Sequence, residues 1–411
     1  MTFEDYIAYA GLDWASDHHD LVIVDKTGAV IQTRRFDHTG EQWREIIALL
    51  KAHGPLAIAI ETTHGVAVQQ LADAGLTIYP VVPRAAARYR ERKAPSGVKD
   101  DQLDAWSLAD ALRVDGHGWH QLPEGDPMLR ELRLLCLDEI ELIGQRTALI
   151  NSLQAALREY FPAALEAFDD WCQPSSWRFI LSFPTPQDLV KAKKRGWNKF
   201  LHANKLWRQE TVEKRHEIFA RADQFGADVG TTAAKSLRAI SMAKMLLTLE
   251  GQIEIYRHRI EQLFADHPKS GLFGSLPAAG AKIAPRLLSL TLPRIEAGID
   301  ASVLQCIAGT SPVTIKSGQI TKRHIRWHCD KNLRATIHLW SNLSRQKCVW
   351  AQAYYQKHRD KGQSHACALR CLGQRWIKIL CAMCRANKPY DEALHSRNQA
   401  AHGSWVLQLV S

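Results

Sequence analysis

Four carboxylates in the first third of the chain have the residue types and spacing of a divalent-metal site. Leu103, Trp106, Ala109 or Asp110, and Leu112 recur at helical intervals across Val98–Arg113. Asp101 and Asp104 are three apart on that helix, so both project from one face. Asp100 adds a third acid to the same turn. The helix macrodipole accounts for one or two acids there. The dense basic run just upstream, Arg84, Arg88, Arg90, Arg92, Lys93 and Lys99, points beyond a plain solvated helix start, to a divalent cation meeting a phosphate chain. Asp13 lies near the end of the apolar stretch Ile7–Trp14. Glu61 follows Leu56–Ile60, a continuous apolar run of the kind expected for a fully buried strand. Acids at strand tips of an α/β sheet occupy a recurrent ligand position. Buried carboxylates without partners are costly, so such a cluster implies bound cations. Two magnesium ions about 3.5–4 Å apart would suit a scissile phosphate. Asp17, Asp20 and Asp25 are read as surface or turn residues.

A second candidate lies in the last third. Ser317 precedes Gly318 in the most one-sided charge of the chain: Lys316 to Lys347 holds eight Lys or Arg against one acid, Asp330. An alcohol among cations has the chemistry of a phosphoryl acceptor, because positive charge stabilises both an alkoxide and a pentacoordinate phosphorane. Taken alone the Ser-Gly pair is a weak signal, since most such pairs are turns. Lys316, Lys322, Arg323 and Arg326 are candidate nucleic-acid contacts, as are Arg84, Arg88, Arg92 and Lys99.

The elements that must position these groups follow from hydrophobic patterning. Strands are expected at Ile7–Trp14, Leu21–Asp25, Ala29–Phe36, Leu56–Ile60 and Leu76–Val82, with a hairpin turn at Asp25–Gly28. Helices are expected at Glu41–Ala52 and from about Val66 to Ala74. Three strands in hairpin succession, followed by alternating helix and strand, give the order of a ribonuclease-H-like α/β fold. It would put Asp13 at the sheet centre, Glu61 beside it, and Asp101 and Asp104 on a helix crossing the strand ends.

From Pro127 the pattern is helical. Leu129, Leu132, Cys136, Ile140, Ile143, Ile150, Leu153 and Leu157 form one rhythm, and Leu246, Leu249, Ile253, Tyr256, Ile260 and Leu263 another. The two helices could pair within the chain or join two subunits. Between them, Phe183-Pro-Thr-Pro reads as a turn feeding a helix. Lys191–Trp197 reads either as a solvated surface or as a cationic, aromatic nucleic-acid contact. The expected organisation is an α/β domain over 1–120, a helical coiled-coil region over 121–268 and a mainly α domain over 269–411.

The bulk numbers agree with a polyanion partner. The 411 residues carry a net charge of +10 and thirteen Trp. Neither a leader-like start nor an apolar run near the ~20 residues of a membrane span is found. Nine Cys, an odd number scattered through apolar segments, suit reduced cytosolic thiols, and a cytoplasmic location is expected. Cys381-Ala-Met-Cys384 is flanked by residues of a buried helix rather than the turns of a zinc knuckle.

Gly11-Leu-Asp13, Glu61-Thr-Thr-His-Gly65 and Lys99-Asp-Asp101-Gln-Leu-Asp104-Ala together resemble the DEDD-type insertion-sequence transposases, whose first domain is similar to RuvC-type resolvases. The final Asp-x-x-Asp-Ala of that pattern favours Asp101 and Asp104 over Asp100. Further on, Ala308-Gly-Thr-Ser-Pro-Val-Thr-Ile-Lys-Ser317-Gly318 resembles the family motif that carries a nucleophilic serine. Leu276-Pro-Ala-Ala-Gly280 resembles a Pro-Gly-hydrophobic-Gly element, with Ala278 replacing its first glycine. The segments around Trp350–Tyr355, Gly362, His365, Ala368–Arg370 and Tyr390 look like the family's C-terminal helices.

The resemblance implies magnesium bound by Asp13, Glu61, Asp101 and Asp104, and Ser317 as nucleophile toward a DNA phosphodiester. It also implies a homodimer or homotetramer with composite sites, and a structured guide RNA pairing with donor and target DNA. The rival readings are a RuvC-like metal-dependent junction nuclease using water, and a catalytically inert nucleic-acid scaffold.

Overall fold

The computed structural model describes residues 2–63, 65–93, 100–122, 126–318 and 320–401. Contacts divide the chain into two compact units, Met1–Gly125 and Asp126–Ser411. The first boundary therefore falls a few residues beyond the expected 120.

The first unit is built on β1 (Ala8–Trp14), β2 (His18–Asp25), β3 (Val30–Asp37), α1 (Gly40–Ala52), β4 (Leu56–Ile60), α2 (Val66–Asp73), β5 (Thr77–Pro80), α3 (Pro83–Lys93) and α4 (Asp101–Asp115). The strand order is β3-β2-β1-β4-β5. β1 pairs antiparallel with β2 and parallel with β4, as expected for the ribonuclease-H-like order. Alternation along the strands sends successive side chains to opposite faces. Ala8, Ala10, Leu12, Ile58 and Ile60 pack under Trp43, Ile46 and Leu50 of α1 and Leu71 of α2. Tyr9, Val22, Val24, Ala57 and Ala59 face Ala105, Leu108, Ala109 and Leu112 of α4. With both faces covered, every residue of β4 is buried.

The second unit begins with α5 (Pro127–Tyr160), followed by α6 (Pro162–Ala167), α7 (Pro174–Ser182), α8 (Pro186–Ala203), α9 (Gln209–Ala220) and α10 (Val229–Asp266). Then come α11 (Ser270–Gly274), α12 (Gly280–Glu296), α13 (Ala301–Ile307), β6 (Val313–Ser317), β7 (Ile320–His324), α14 (Lys331–Ser344), α15 (Val349–Asp360), α16 (His365–Ala386) and α17 (Glu392–Ala401).

The two long rhythms pair within the chain. Ion pairs Glu131–Arg259, Glu139–Arg257, Arg146–Glu250 and Glu159–Lys235 run up α5 while descending α10, which makes the pair antiparallel. One end of the pair enters an aromatic-rich core with Trp177, Phe179 and Phe219. The other enters a core with α12, α14 and α16 around Trp340 and Trp376. Among the described residues, no helix is long and apolar enough to cross a membrane.

Two expectations in the middle region resolve differently. Thr185 caps α8, accepting from the Asp188 amide, so the turn feeding a helix is as expected. The aromatic of Lys191–Trp197 is not available to a ligand. Trp197 is buried, donates its indole N–H to the Leu189 carbonyl at 2.7 Å and stacks edge-on to Phe219. Its neighbouring lysines are solvated, but the ring belongs to the core.

Candidate active site and nucleic-acid interface

Parity on the sheet decides where the acids of the first unit go. Tyr9, Gly11 and Asp13 share the α4 face of β1, and Ala57 and Ala59 place the following Glu61 on that same side. α4 reaches them because Gly11 has no side chain: backbone atoms of Ala105 and Ala109 lie inside the space a Cβ would take. Asp100 is the N-cap of α4, its carboxylate accepting from the Gln102 amide. That is a structural role for this acid. Asp101 and Asp104 form the first turn, where the helix dipole favours anions.

Asp13 is half-buried, and its pKa is pushed up to about 6. Burial is the largest cause, followed by the charges of Asp104, Glu61, Asp101 and Asp20. The other three carboxylates of the expected quartet thus act electrostatically on Asp13. A fifth acid joins them. Asp20, read from the sequence as a surface or turn residue, stands mid-strand on β2 directly across from Asp13 and is 1% exposed. Asp17 is exposed, and Asp25 holds the β2–β3 turn by accepting from the Thr27 and Ala29 amides, both as expected.

Two arginines pair with three of these acids. Arg35, paired with Asp20 across β2–β3, binds Asp20 through Nε and one terminal nitrogen, at 3.1 and 2.7 Å. The same terminal nitrogen donates to Asp101 at 3.1 Å. Arg90 of α3 donates from one terminal nitrogen to both oxygens of the buried Asp104, at 2.8 and 2.9 Å. His18, Asp20 and Asp101 offer ligand atoms within 4.8 Å of one another; of the expected quartet this trio includes only Asp101. With guanidinium groups standing where cations are wanted, and an oxygen-rich, partly dry donor set, the residues present fit hard divalent ions. The signal that could have identified Asp20 is register. Counting back from the β2–β3 turn gives it the parity of Val22 and Val24, inward toward α4.

The expected basic contacts divide by position. Arg84, Arg88 and Arg92 are exposed and recur every four residues along α3, so they line one face of it, while Arg90 turns to Asp104. Lys99 lies outside the described residues.

In the second unit Ser317 is the last residue of β6, exposed at the tip of the β6–β7 hairpin and paired with Ile320; Gly318 follows at φ +56. That positive φ is the turn conformation glycine adopts without penalty. Pairing places Ile315, Ser317, Ile320 and Lys322 on one face of the ribbon, and Lys316, Thr321 and Arg323 on the other. Arg326 follows β7 and donates to the Ser311 carbonyl. The one acid of this basic stretch, Asp330, caps α14 and pairs with Arg294 at 2.8 Å, so it leaves the field on the hairpin uncompensated. Ala278, in the glycine's place before α12, sits at φ +58. The chain there still adopts the left-handed conformation, at a cost glycine would avoid.

Comparison with known proteins bears on both regions. A family model described as "Transposase" matches residues 10–162, and one described as "Transposase IS116/IS110/IS902 family" matches residues 270–356, together more than half of the chain. The protein is a DNA transposase, an enzyme of mobile elements whose DEDD-type catalytic domains are generally dependent on divalent metal. The chain belongs to the IS116/IS110/IS902 family. It is 29% identical to the "Mini-circle putative transposase for IS117" of Streptomyces coelicolor, over 95% of this chain and 97% of that protein. It is 27% identical to the insertion element IS900 42 kDa protein of Mycobacterium paratuberculosis, over 94% and 97%. It is 24% identical to the insertion element IS116 44.8 kDa protein of Streptomyces clavuligerus, over 94% and 96%.

Proposed function

We propose that this transposase is a serine recombinase in which Ser317 attacks a DNA phosphodiester, with Asp13, Glu61, Asp101 and Asp104 holding magnesium. The observation that carries the metal half is that Asp13 faces the buried Asp20 across β1–β2, and that Asp20 shares the Arg35 guanidinium with Asp101 of α4. The observation that carries the serine half is an exposed hydroxyl at a hairpin tip that shares its face with Lys322. When bound, divalent ions supply charge neutralisation at the phosphate and the leaving oxygen. Arg35 and Arg90 hold the acids in place until then.

In the reaction the Ser317 Oγ forms a new P–O bond, its proton leaves to solvent or a nearby base, and the bond to one deoxyribose oxygen breaks. That oxygen takes up a proton. The protein–DNA phosphoserine ester keeps the phosphoester energy, so reversal onto a different strand end rejoins DNA without a nucleotide cofactor. Lys322 would steady the phosphate charge, while Lys316 and Arg323 on the opposite face would contact nucleic-acid backbone. The resemblance to the DEDD-type insertion-sequence transposases, with their composite sites, supports a homodimer or homotetramer as the working enzyme. A structured guide RNA selects donor and target DNA by base pairing, and Arg84, Arg88, Arg92, Lys99 and Arg326 contact nucleic-acid backbone.

Ser317→Ala tests the reading. The variant should form no DNA adduct on a denaturing gel and lose at least about a thousandfold in cleavage, as when a nucleophile is removed from a concerted site. Cleavage at the wild-type rate would instead support the RuvC-like nuclease that uses water. Loss of cleavage in Asp13→Asn separates both from an inert scaffold. The guide is tested by exchanging its pairing segment and asking whether the cut site moves with it.

A further inference from the structure

A cavity of about 490 Å³ opens between α14 and α16, just beyond the strand β7 that returns from the Ser317 hairpin. Lys331, Arg334 and His338 contribute from α14, and His365 and Arg370 from α16. Ile325 and Leu369 supply apolar wall. No carboxylate lines it, and none among the described residues pairs with Lys331, Arg334 or Arg370. The nearest acid in sequence, Asp330, is already committed to Arg294 and to the α14 cap.

The positive field converges. His338 has its pKa lowered first by burial and then by the charges of Arg370, His365 and Arg334. Lys331 and His365 are also the first residues of their helices, so both helix dipoles add positive potential at those ends. At the edge stands Trp327, 72% exposed, its ring 5.7 Å from the Arg334 guanidinium. A large aromatic that solvent reaches on most of its surface makes little use of its area in this chain.

A structural account covers each piece singly: solvated lysines and arginines, a tryptophan left outside. It does not account for three cations without counter-ions around a cavity of ligand size and an aromatic face beside them.

We infer that this groove takes a backbone phosphate of an unpaired polynucleotide strand while Trp327 stacks on the adjoining base. The cations meet the phosphodiester charge, Ile325 and Leu369 meet the sugar, and the indole offers the sequence-tolerant platform used for single strands. A base inside a duplex has both faces occupied by its neighbours, so the stacking element selects an unpaired one. The inference rests on the nucleic-acid-handling function but concerns neither Ser317 nor the acids.

The test uses the full chain, fluorescein-labelled twelve-nucleotide oligothymidylate and oligouridylate, a DNA duplex of equal length, and anisotropy at stepped salt. Trp327→Ala should weaken single-strand binding by about five- to 150-fold, the range of one stacked base. Arg370→Gln and the exposed Lys331→Gln should each flatten the slope of log affinity against log salt by about 0.7. A greater loss on oligouridylate than on oligothymidylate assigns the strand to RNA, and the reverse to DNA. Equal losses of Trp327→Ala on duplex and single strands would overturn the unpaired-base inference. If wild type binds nucleic acid and all three variants match it in affinity and slope, the groove is overturned and the transposase reading stands. If wild type binds none of the probes, the groove is overturned too, while the family membership, which rests on the sequence comparisons, is untouched. Unchanged thermal midpoints of the surface variant Lys331→Gln exclude misfolding as the cause.

Discussion

A Cβ built on Gly11 would lie 1.9 Å from the carbonyl oxygen of Ala105. No real atom pair tolerates that approach, so helix α4 can cross β1 at this depth only over glycine. Gly11→Ala should therefore push α4 outward, cost about 1–3 kcal/mol or more of stability, and withdraw Asp101 and Asp104 from Asp13. Thermal or urea denaturation checks it. A wild-type midpoint together with wild-type cleavage would mean that α4 does not depend on this contact.

The acidic face should respond to divalent ions before any DNA is present. Ions that bind the folded state alone stabilise it, by roughly 2.7 kcal/mol at a hundred times the dissociation constant. Magnesium or manganese should raise the melting temperature of wild type, and the increment should vanish in Asp13→Asn and Glu61→Gln. Equal increments in wild type and both variants would place the ions elsewhere.

The hairpin makes a prediction by face. Lys322 shares the Ser317 side of the ribbon, whereas Arg323 is on the other. In single-turnover cleavage at saturating DNA, Lys322→Ala should slow the reaction by about tenfold or more, as loss of a charge-stabilising group does. Arg323→Ala should act mainly on binding and its salt dependence. The opposite ranking would show that alternation along β7 does not set the working face.

Acid should destabilise the first unit through His19. This residue is 1% exposed, shares a 2.7 Å hydrogen bond with His38 and packs on Trp43. Burial, with the like charges of His38 and His18, lowers its pKa to about 4. Protonation therefore favours the unfolded chain, where the imidazole titrates near 6.5. The contribution is complete above pH 6.5 and is lost as pH falls toward 4, on the order of 3 kcal/mol. Melting curves across that window should show a shallower decline for His19→Gln than for wild type. Parallel curves would sink the assignment.

Much of this architecture is legible in the sequence because it is written in short-range pattern. The run Leu56–Ile60 specifies a central strand, and the steps of three and four specify α5 and α10. Asp20 is less legible. β2 opens with His18, His19 and Asp20, so apolar counting begins at Leu21 and leaves a buried carboxylate outside the strand. Trp197 misleads for the converse reason. The lysines beside it describe the solvent side of α8, while Leu189, Trp197, Phe200 and Leu201 describe its buried side. The pairing of α5 with α10 needs the ion pairs of the folded chain to be decided. The groove between α14 and α16 joins residues far apart in sequence, and no local pattern announces it. For the candidate site, the motif residues are proposed by type and resemblance, whereas Arg35 and Arg90 emerge only from tertiary geometry.

The ribbon that carries Ser317 is two strands wide, and every residue of β7 is exposed, with Ile315 and Ile320 open to solvent on the serine's own side. A lone pair of strands has marginal rigidity in water. The proposed attack by its hydroxyl would demand sub-ångström aim, which such a ribbon reaches only after those bare isoleucines have found cover. Were Ser317 the nucleophile proposed above, a stray copy meeting the host chromosome would hold its cutting tool loosely, and the grip would firm only once a partner surface had covered those isoleucines.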